Sequence, residues 1–326
     1  MKKILLVVLL LLGGCTAVSE VGPEQDTTGC GIATAKLAND DVTPISQNPT
    51  PKLPVTVDGV TVRSADRILA VNLYGSLAEI VFSLGLGDRV IGRDTSTTFP
   101  SAANLPLVTP QGHDLSAEAI LKLNPTVLLA DDSIGPPAVL DQIRKSGIPV
   151  VIVDDEQNLE SVPRHIRAVA TALGVPEVGE QLVEQVQSEI DAAKKPRDGT
   201  PPRIAFLYVR GTAGVFLIGG DGAGSDAMIE AIGAVDAGSA AGLKKFRPLT
   251  SEGLINAAPD VILVMTEGLK SVDGVEGLLK LPGVSQTPAG INRRIVDMED
   301  GILLNFGART GKAVEALAKA VYGPCN

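Results

Sequence analysis

Two stretches of the sequence repeat one pattern of a helix, a proline and an apolar strand. LSAEAILKLNPTVLLADD begins at Leu115, and LTSEGLINAAPDVILVMT begins at Leu249, 134 residues later. Ser116 and Thr250 hold the same place in the two copies, where a hydroxyl side chain caps the first turn of a helix. A shared helix-proline-strand unit in each half predicts two similar α/β lobes.

Other apolar runs support two parallel sheets. Runs rich in β-branched residues, each followed by a helical pattern, cover residues 67–71, 126–130, 149–153, 203–209 and 261–265. Continuous apolar strands that alternate with helices indicate parallel sheets covered on both faces. We therefore predict the α/β class, with two Rossmann-like lobes built on parallel central sheets.

A helical segment separates the two halves. Residues 159–195 are helical in pattern, with one interruption at Gly174 to Pro176. The second part repeats an apolar residue every four positions, at Val178, Leu182, Val186 and Ile190. This stripe indicates an amphipathic helix packed on one face.

These patterns predict an N-terminal lobe over residues 61–157, a long linking helix over 158–197 and a C-terminal lobe over 198–326. Two α/β lobes joined by a long helix form a stiff clamshell. A ligand would bind in the crevice outside the carboxyl ends of the strands.

The N-terminus has the pattern of an export signal. Residues 1–14 contain two lysines, an apolar run too short to span a membrane, and two glycines before Cys15. A cysteine after two glycines resembles the lipobox of bacterial lipoproteins, which implies cleavage before Cys15 and lipid on its thiol. An ordinary secretory signal is the alternative. Residues 15–60 are predicted to be a flexible tether, because they hold many Ser, Thr and Pro.

The amino-acid composition limits the kinds of partner and pocket that the chain can have. Without residues 1–14 the chain carries 26 basic and 38 acidic residues, a charge of −12, which argues against nucleic acid or an anionic lipid surface as the partner. Tryptophan is absent, which excludes a pocket built on that residue. In an oxidising compartment Cys30 and Cys325 could form a disulfide, and two free thiols are the alternative.

The sequence also argues against an enzyme. It contains no G-x-S-x-G elbow, and its two histidines cannot build a three-histidine metal centre. GGDGAG, from Gly219, lacks the Lys-Ser/Thr of a phosphate-binding loop and reads as a turn.

Four blocks carry a resemblance to a known family. They are GSLAEIVFSLGLGDRVIGRDTST from Gly75, LSAEAILKLNPTVLLADDSIGPPAVLDQIRKSGIPVVIV from Leu115, FLYVRGTAGVFLIGGDGAGSDAMIEAIG from Phe206 and DVILVMTEGLKSVDGVEGLLKLPGV from Asp260. Together they resemble the helix-linked substrate-binding lipoproteins of ABC importers, and most closely the haem-transport proteins of the HmuT type. The resemblance implies capture of haem as a transported ligand and its delivery to a permease. A ferric siderophore or corrinoid carrier of the same fold is the alternative.

Two residues are candidates for binding the haem iron, and a third is a candidate for supporting one of them. Tyr208 falls near the carboxyl end of a predicted strand, and Arg210 projects on the same face two residues later. A phenol is a poor metal ligand at neutral pH, but a neighbouring guanidinium favours the phenolate. His113 lies in the loop before a helix of the other lobe, and the resemblance implies a His113/Tyr208 ligand pair with Arg210 as neighbour. The alternatives are a solvated loop histidine and a half-buried strand tyrosine.

Further residues are candidates for the haem pocket. Adding the repeat offset to His113 gives Arg247, so Phe246 and Arg247 are expected at the rim of the second lobe, against the porphyrin and a propionate. Arg93 is a similar candidate from the first lobe. Met265 ends a strand at the same face, with core packing as its default. A solvated loop arginine is the alternative for Arg247.

The resemblance also implies partners. Glu79 and Glu230, one in each lobe, match positions that contact permease arginines in the family, with exposed helix carboxylates as the alternative. The expected partners are the permease and its ATPase, upstream haem-binding surface proteins, and the outer face of the cytoplasmic membrane through the lipid anchor. His165 is expected to be a solvated helix residue.

Overall fold

A computed structural model describes residues 31–194 and 199–323 of the chain. The strands within them are β1 (Ile32–Ala35), β2 (Val55–Val57), β3 (Val60–Val62), β4 (Ile68–Val71), β5 (Val127–Ala130), β6 (Val150–Ile152), β7 (Arg203–Arg210), β8 (Val215–Ile218), β9 (Val235–Asp236), β10 (Arg247–Pro248), β11 (Val261–Met265) and β12 (Ile295–Met298).

The helices within the same residues are α1 (Ser76–Ser83), α2 (Ala117–Lys122), α3 (Pro137–Lys145), α4 (Ser161–Ala172), α5 (Pro176–Ala193), α6 (Ser225–Ala231), α7 (Ala237–Ala240), α8 (Ser251–Ala257), α9 (Thr266–Lys270), α10 (Gly274–Leu278), α11 (Pro288–Ile291), α12 (Asp300–Leu303) and α13 (Thr310–Tyr322). None of these helices is both long and apolar enough to cross a membrane.

The N-terminal lobe is built on a three-stranded parallel sheet in the order β4-β5-β6. Every residue of β4 and β5 is buried, because the connecting helices cover the sheet. The three strands coincide with the apolar runs at 67–71, 126–130 and 149–153, so these predictions are confirmed.

The C-terminal lobe has a larger sheet in the order β1-β12-β11-β7-β8-β10, with β9 also paired to β7. β1, β12, β11 and β7 run parallel, whereas β8 and β10 add antiparallel pairs beyond β7. Alternate residues of β7 face opposite sides: Phe206 and Tyr208 pack with one apolar cluster, and Leu207 with another. The predicted α/β class with parallel central sheets is confirmed.

The repeat corresponds to the same local structure in both lobes. The Ser116 hydroxyl accepts a hydrogen bond from the Ala119 N–H at 3.2 Å at the start of α2. The Thr250 hydroxyl accepts one from the Gly253 N–H at 3.1 Å at the start of α8. Each helix then leads to a buried strand, β5 or β11, so the predicted caps and the predicted order are confirmed.

The prediction of a flexible tether over residues 15–60 is wrong for the part that the structure describes. Residues 31–60 are part of the folded structure, because β1 pairs in parallel with β12, and β2 pairs with β3. The Thr34 hydroxyl donates a 2.8 Å hydrogen bond to the Asp297 carboxylate on β12. The N-terminal end of the described chain therefore completes the sheet of the C-terminal lobe.

The linking segment consists of two helices rather than one. α4 and α5 pack side by side, and the Arg167 guanidinium on α4 donates to the Glu180 carboxylate on α5 at 2.9 Å. Gly179 permits the close approach, since a β-carbon there would lie 2.4 Å from that of Ala170. α5 also packs on α13, which secures the link to the C-terminal lobe.

The two lobes share a continuous apolar core. One cluster of buried residues includes Ile80 of α1, Ile166 of α4, Phe206 of β7 and Leu317 of α13. The lobes are thus packed on each other at the base of the cleft, which fixes the relative position of the residues that line it.

Candidate functional site

A cavity of about 530 Å³ lies between the two lobes. The N-terminal lobe contributes Leu73, Tyr74, Thr95, Ser96, Thr98 and His113. The C-terminal lobe contributes Tyr208, Arg210, Leu217, Phe246, Met265, Glu267, Asp300, Gly301 and Leu304. The cavity thus brings together the two predicted iron ligands, one from each lobe.

Tyr208 is half-buried near the end of β7. Its ring packs edge to face with Phe246, with ring centroids 5.9 Å apart. The guanidinium carbon of Arg210 lies 4.7 Å from the centroid of the Tyr208 ring. Tyr208 and Arg210 project from the same face of β7, as predicted, because residues two apart on a strand face the same way. The Arg210 guanidinium therefore lies against the Tyr208 ring.

The Arg210 side chain is held in place by its own partners. One terminal nitrogen donates to the Asp300 carboxylate at 2.6 Å, and the other donates to the Val209 carbonyl at 3.0 Å. The Met265 sulfur lies 3.5 Å from the same guanidinium. Because both ends of the guanidinium are engaged, its position over Tyr208 is fixed.

His113 lies across the cleft in an exposed loop that leads to α2. Gly112, immediately before it, has a positive φ of 90°, a conformation that glycine adopts without strain. The imidazole lines the cavity with Thr95 and Ser96 of the same lobe. A histidine and a tyrosine on opposite walls can supply one nitrogen and one oxygen ligand to a metal between them.

The remaining pocket candidates separate into two groups. Phe246 and Met265 line the cavity. Arg247, the next residue of the chain, does not line the cavity. Its side chain is exposed on β10, the strand that pairs antiparallel with β8. Arg93 is a correction: its guanidinium donates to the carbonyls of Asp94 and Thr97 at 3.2 and 3.3 Å, so it supports a loop and does not line the cavity.

Tyr74 is a cleft residue that the sequence analysis missed. It follows the carboxyl end of β4, which is the edge where ligands bind in such sheets, so its position was a usable signal. Burial, then the charges of Asp131, Asp155 and Tyr208, raises the pKa of the Tyr74 phenol. Tyr74 is therefore a protonated hydrogen-bond donor at neutral pH.

A buried polar network supports the N-terminal wall of the cleft. The Asp94 carboxylate accepts hydrogen bonds from the Asn72 N–H at 3.0 Å and from the Thr97 N–H and hydroxyl at 2.8 and 2.9 Å. The Asn72 amide donates to Asp131 at 2.9 Å. Burial raises the pKa of Asp94 to about 6, although these hydrogen bonds oppose the rise.

We expect this raised pKa to make stability depend on pH. The folded state holds the Asp94 proton more tightly than the unfolded state does. The stability from that proton is therefore fully present below about pH 4 and is lost as the pH rises through about 6. Relative to Asp94→Asn, the wild type should lose about 2–3 kcal/mol of unfolding free energy over this range in urea titrations. An equal pH dependence in both proteins would contradict it.

The expectation that Glu79 is available to a partner is also wrong. Glu79 was expected to meet a permease, yet it is 1% exposed and its partner Arg309 is 6% exposed. One Glu79 oxygen accepts from the Arg309 backbone N–H at 2.8 Å, and the other accepts from its guanidinium at 2.8 and 2.9 Å. α1 of the N-terminal lobe is thus ion-paired to the residue before α13 of the C-terminal lobe.

Glu230 is exposed on α6, as expected. Partial burial, then the charges of Asp226, Asp236 and Asp221, raises the pKa of its carboxyl. The expectation of a solvated His165 is wrong: this residue is 2% exposed, and its Nε2 lies 2.9 Å from the Asp154 carboxylate, outside the residues lining the cleft.

The three cysteines fall outside the described residues. The predictions of lipid on Cys15 and of a Cys30–Cys325 disulfide therefore stay predictions. Gly31 and Val321 both lie near the start of β12. The Gly31 carbonyl accepts a hydrogen bond from the Ile295 N–H at 2.7 Å, and the Arg294 guanidinium donates to the Val321 carbonyl at 3.5 Å.

Comparison with solved structures gives a close match. A crystal structure of the heme binding protein HmuT has a TM-score of 0.84 and 40% sequence identity, over 91% of this chain and 98% of that one. Variants of HmuT in which a histidine, a tyrosine or an arginine is replaced by alanine match with TM-scores of 0.83 to 0.84. The replaced arginine lies two positions after the replaced tyrosine in HmuT.

Comparison with curated sequences gives more distant relatives. The uncharacterized ABC transporter substrate-binding lipoprotein YvrC of Bacillus subtilis is 28% identical over 280 residues, which are 82% of this chain and 86% of YvrC. A vitamin B12-binding protein of Yersinia pestis is 25% identical over 158 residues, which are 48% of this chain and 55% of that protein.

The family is settled by the extent of the match. A family model described as Periplasmic binding protein matches residues 71–301, which include both walls of the cleft. The fold and the family are those of substrate-binding proteins that act outside the cytoplasm. The chain therefore belongs to the periplasmic binding protein family.

Proposed function

We propose that the protein captures haem outside the cytoplasmic membrane and delivers it to the permease of an ABC importer. The observation that carries this proposal is that His113 and Tyr208, from opposite lobes, line one cleft. Imidazole and phenolate are both known ligands of haem iron. A ring placed between the two walls would present one face of its iron to each.

Arg210 supports the role of Tyr208. The Arg210 guanidinium carbon lies 4.7 Å from the centroid of the Tyr208 ring, so the attraction between cation and ring holds the tyrosine in the cleft. Asp300 holds that guanidinium at 2.6 Å, which keeps it in place before the ligand arrives. The alanine variants of HmuT replace a histidine, a tyrosine and an arginine with the same Tyr-to-Arg spacing, which supports the same assignment here.

The walls of the cleft suit the porphyrin ring. Apolar side chains line both sides, at Leu73, Leu217, Phe246, Met265 and Leu304. A planar, largely apolar ligand gains most from such walls, while a few polar groups fix its orientation. This combination of apolar walls and two opposed iron ligands favours haem.

A ferric siderophore or corrinoid is the second candidate, which the similarity to a vitamin B12-binding protein favours. Such ligands bring their own chelating atoms and need no iron-binding side chains. The test is a titration of the purified protein with hemin, followed by the Soret absorption band. We expect a saturable, shifted band in the wild type and an altered band in both His113→Ala and Tyr208→Ala. A protein that binds cyanocobalamin and leaves the hemin spectrum unchanged would overturn the proposal.

The proposed setting is the outer face of the cytoplasmic membrane, with the chain anchored through lipid on Cys15. The proposed partners are the permease, its ATPase and upstream haem-binding surface proteins. The role is that of a carrier, and we assign no catalytic step to the cleft.

Glu230 is the remaining candidate for contact with the permease. It is exposed beside other carboxylates, and such a surface attracts a cationic partner. We expect Glu230→Ala to keep its haem affinity within about twofold and to slow haem-dependent growth of cells. Glu184→Ala, which removes an exposed glutamate of α5, is the control and should grow normally. Normal growth of the Glu230 variant would refute the contact.

A further inference from the structure

The loop that carries His113 is firmly held at its base. Thr109 is 1% exposed at one side, and Leu115 is 5% exposed at the other. The Leu115 N–H donates to the Gly135 carbonyl at 2.8 Å, and the Ser116 N–H donates to the Val108 carbonyl at 2.9 Å. The base of the loop is therefore part of the folded core of the N-terminal lobe.

The tip of the same loop is exposed from residue 110 to residue 114. Among the described residues, one side chain from outside the loop hydrogen-bonds to the tip: the Thr95 hydroxyl donates to the Gly112 carbonyl at 2.7 Å. Thr95 is itself tied to the loop base, since its N–H donates to the Thr109 hydroxyl at 2.9 Å. The carbonyl that Thr95 holds belongs to the residue next to His113.

We propose that Thr95 is the positioning residue that holds the His113 imidazole in place to bind the haem iron. This inference rests on the proposed function. Gly112 has a φ of 90° and no side chain, so the Thr95 bond to its carbonyl restrains the orientation of the peptide that leads into His113. Tyr208 needs no such restraint, because it is part of a β-strand.

Loss of the Thr95 hydroxyl should therefore affect one iron ligand and spare the other. Thr95→Val keeps the shape of the side chain and removes the donor. We expect haem to stay bound through Tyr208, with a mixed population in which part of the iron has lost the nitrogen ligand. Haem should leave about three- to tenfold faster, the change that follows from one hydrogen bond.

The matched variants isolate this effect. Thr95→Ser restores the hydroxyl and should restore the wild-type spectrum. Thr126→Val removes a hydroxyl of the same lobe that donates to the Arg67 carbonyl at 3.2 Å, far from the loop, and should leave the spectrum unchanged. Absorption and electron paramagnetic resonance spectra of the hemin complexes measure the coordination. Transfer to a haem acceptor in excess measures the rate of loss.

The same experiment is repeated in a His113→Ala background. A positioning role predicts that Thr95→Val then adds no further change in the rate of haem loss, whereas a general structural role predicts the same added change in both backgrounds. Thr95→Val with wild-type coordination and rate would overturn this inference alone. A His113→Ala spectrum identical to that of the wild type would instead overturn the proposed ligand pair.

Discussion

Replacing Tyr208 with phenylalanine is expected to weaken haem binding more than any other single change in the cleft. Phenylalanine keeps the ring packed on Phe246 and beside Arg210, and it removes only the oxygen that we propose binds the iron. Loss of groups that hydrogen-bond directly to a metal ligand costs about 10–100-fold in affinity, so loss of the proposed anionic ligand itself should cost more than about 100-fold. The measurement is haem dissociation to an acceptor in excess.

Two comparisons make that result specific. Tyr74→Phe removes a hydroxyl from the same cleft, but a phenol whose pKa is raised stays protonated and should contribute less than about tenfold. His113→Ala should also cost less than Tyr208→Phe, because a neutral imidazole does not offset the ferric charge. Faster loss of haem from the His113 variant than from the Tyr208 variant would contradict this order.

Replacing Glu79 with alanine is expected to produce the largest loss of stability. The change leaves the Arg309 guanidinium buried without its carboxylate, and breaking a buried pair from one side costs about 3–5 kcal/mol of unfolding free energy. Urea denaturation of the haem-free protein measures it. The effect should be much smaller in a Glu79→Leu/Arg309→Met double variant, which buries no unpaired charge.

An exposed ion pair provides the control. Glu177 pairs with Lys52 at 2.6 Å, but their side chains are 64% and 74% exposed. Glu177→Ala should therefore lower the unfolding free energy far less than Glu79→Ala does. If Glu79→Ala unfolds like the wild type and impairs only uptake in cells, Glu79 is a docking residue after all and the structural role assigned here is wrong.

Local patterns were sufficient to predict most of the fold. The capped helices that begin after Ser116 and Thr250 depend on nearest-neighbour hydrogen bonds, which a short sequence window contains. The buried strands depend on runs of apolar residues. Tyr208 and Arg210 were placed correctly because alternation along a strand is a property of the backbone.

The failures came from contacts between residues distant in sequence. β1 has only four residues, and its partner β12 lies more than 250 residues further along the chain, so no local pattern marked either as a strand. Cleft residues that follow β12, such as Asp300 and Leu304, were missed for the same reason. The tether prediction failed because composition alone does not reveal a distant pairing partner.

Charged residues were the other source of error. Glu79 was expected to contact the permease because the family resemblance implied it, and Arg93 was expected in the haem pocket as a candidate from the first lobe. In the structure each of these side chains has a partner within the protein. Glu79 forms an ion pair with Arg309, and the Arg93 guanidinium donates to backbone carbonyls. Whether a charge is buried depends on its partner, and a single sequence does not identify that partner.

The most direct test of the central claim is a crystal structure of the protein with hemin bound. We predict one porphyrin in the cleft between the lobes, with the His113 imidazole on one face of the iron and the Tyr208 phenolate on the other. Iron coordinated by neither residue, or a ring bound outside the cleft, would contradict this account.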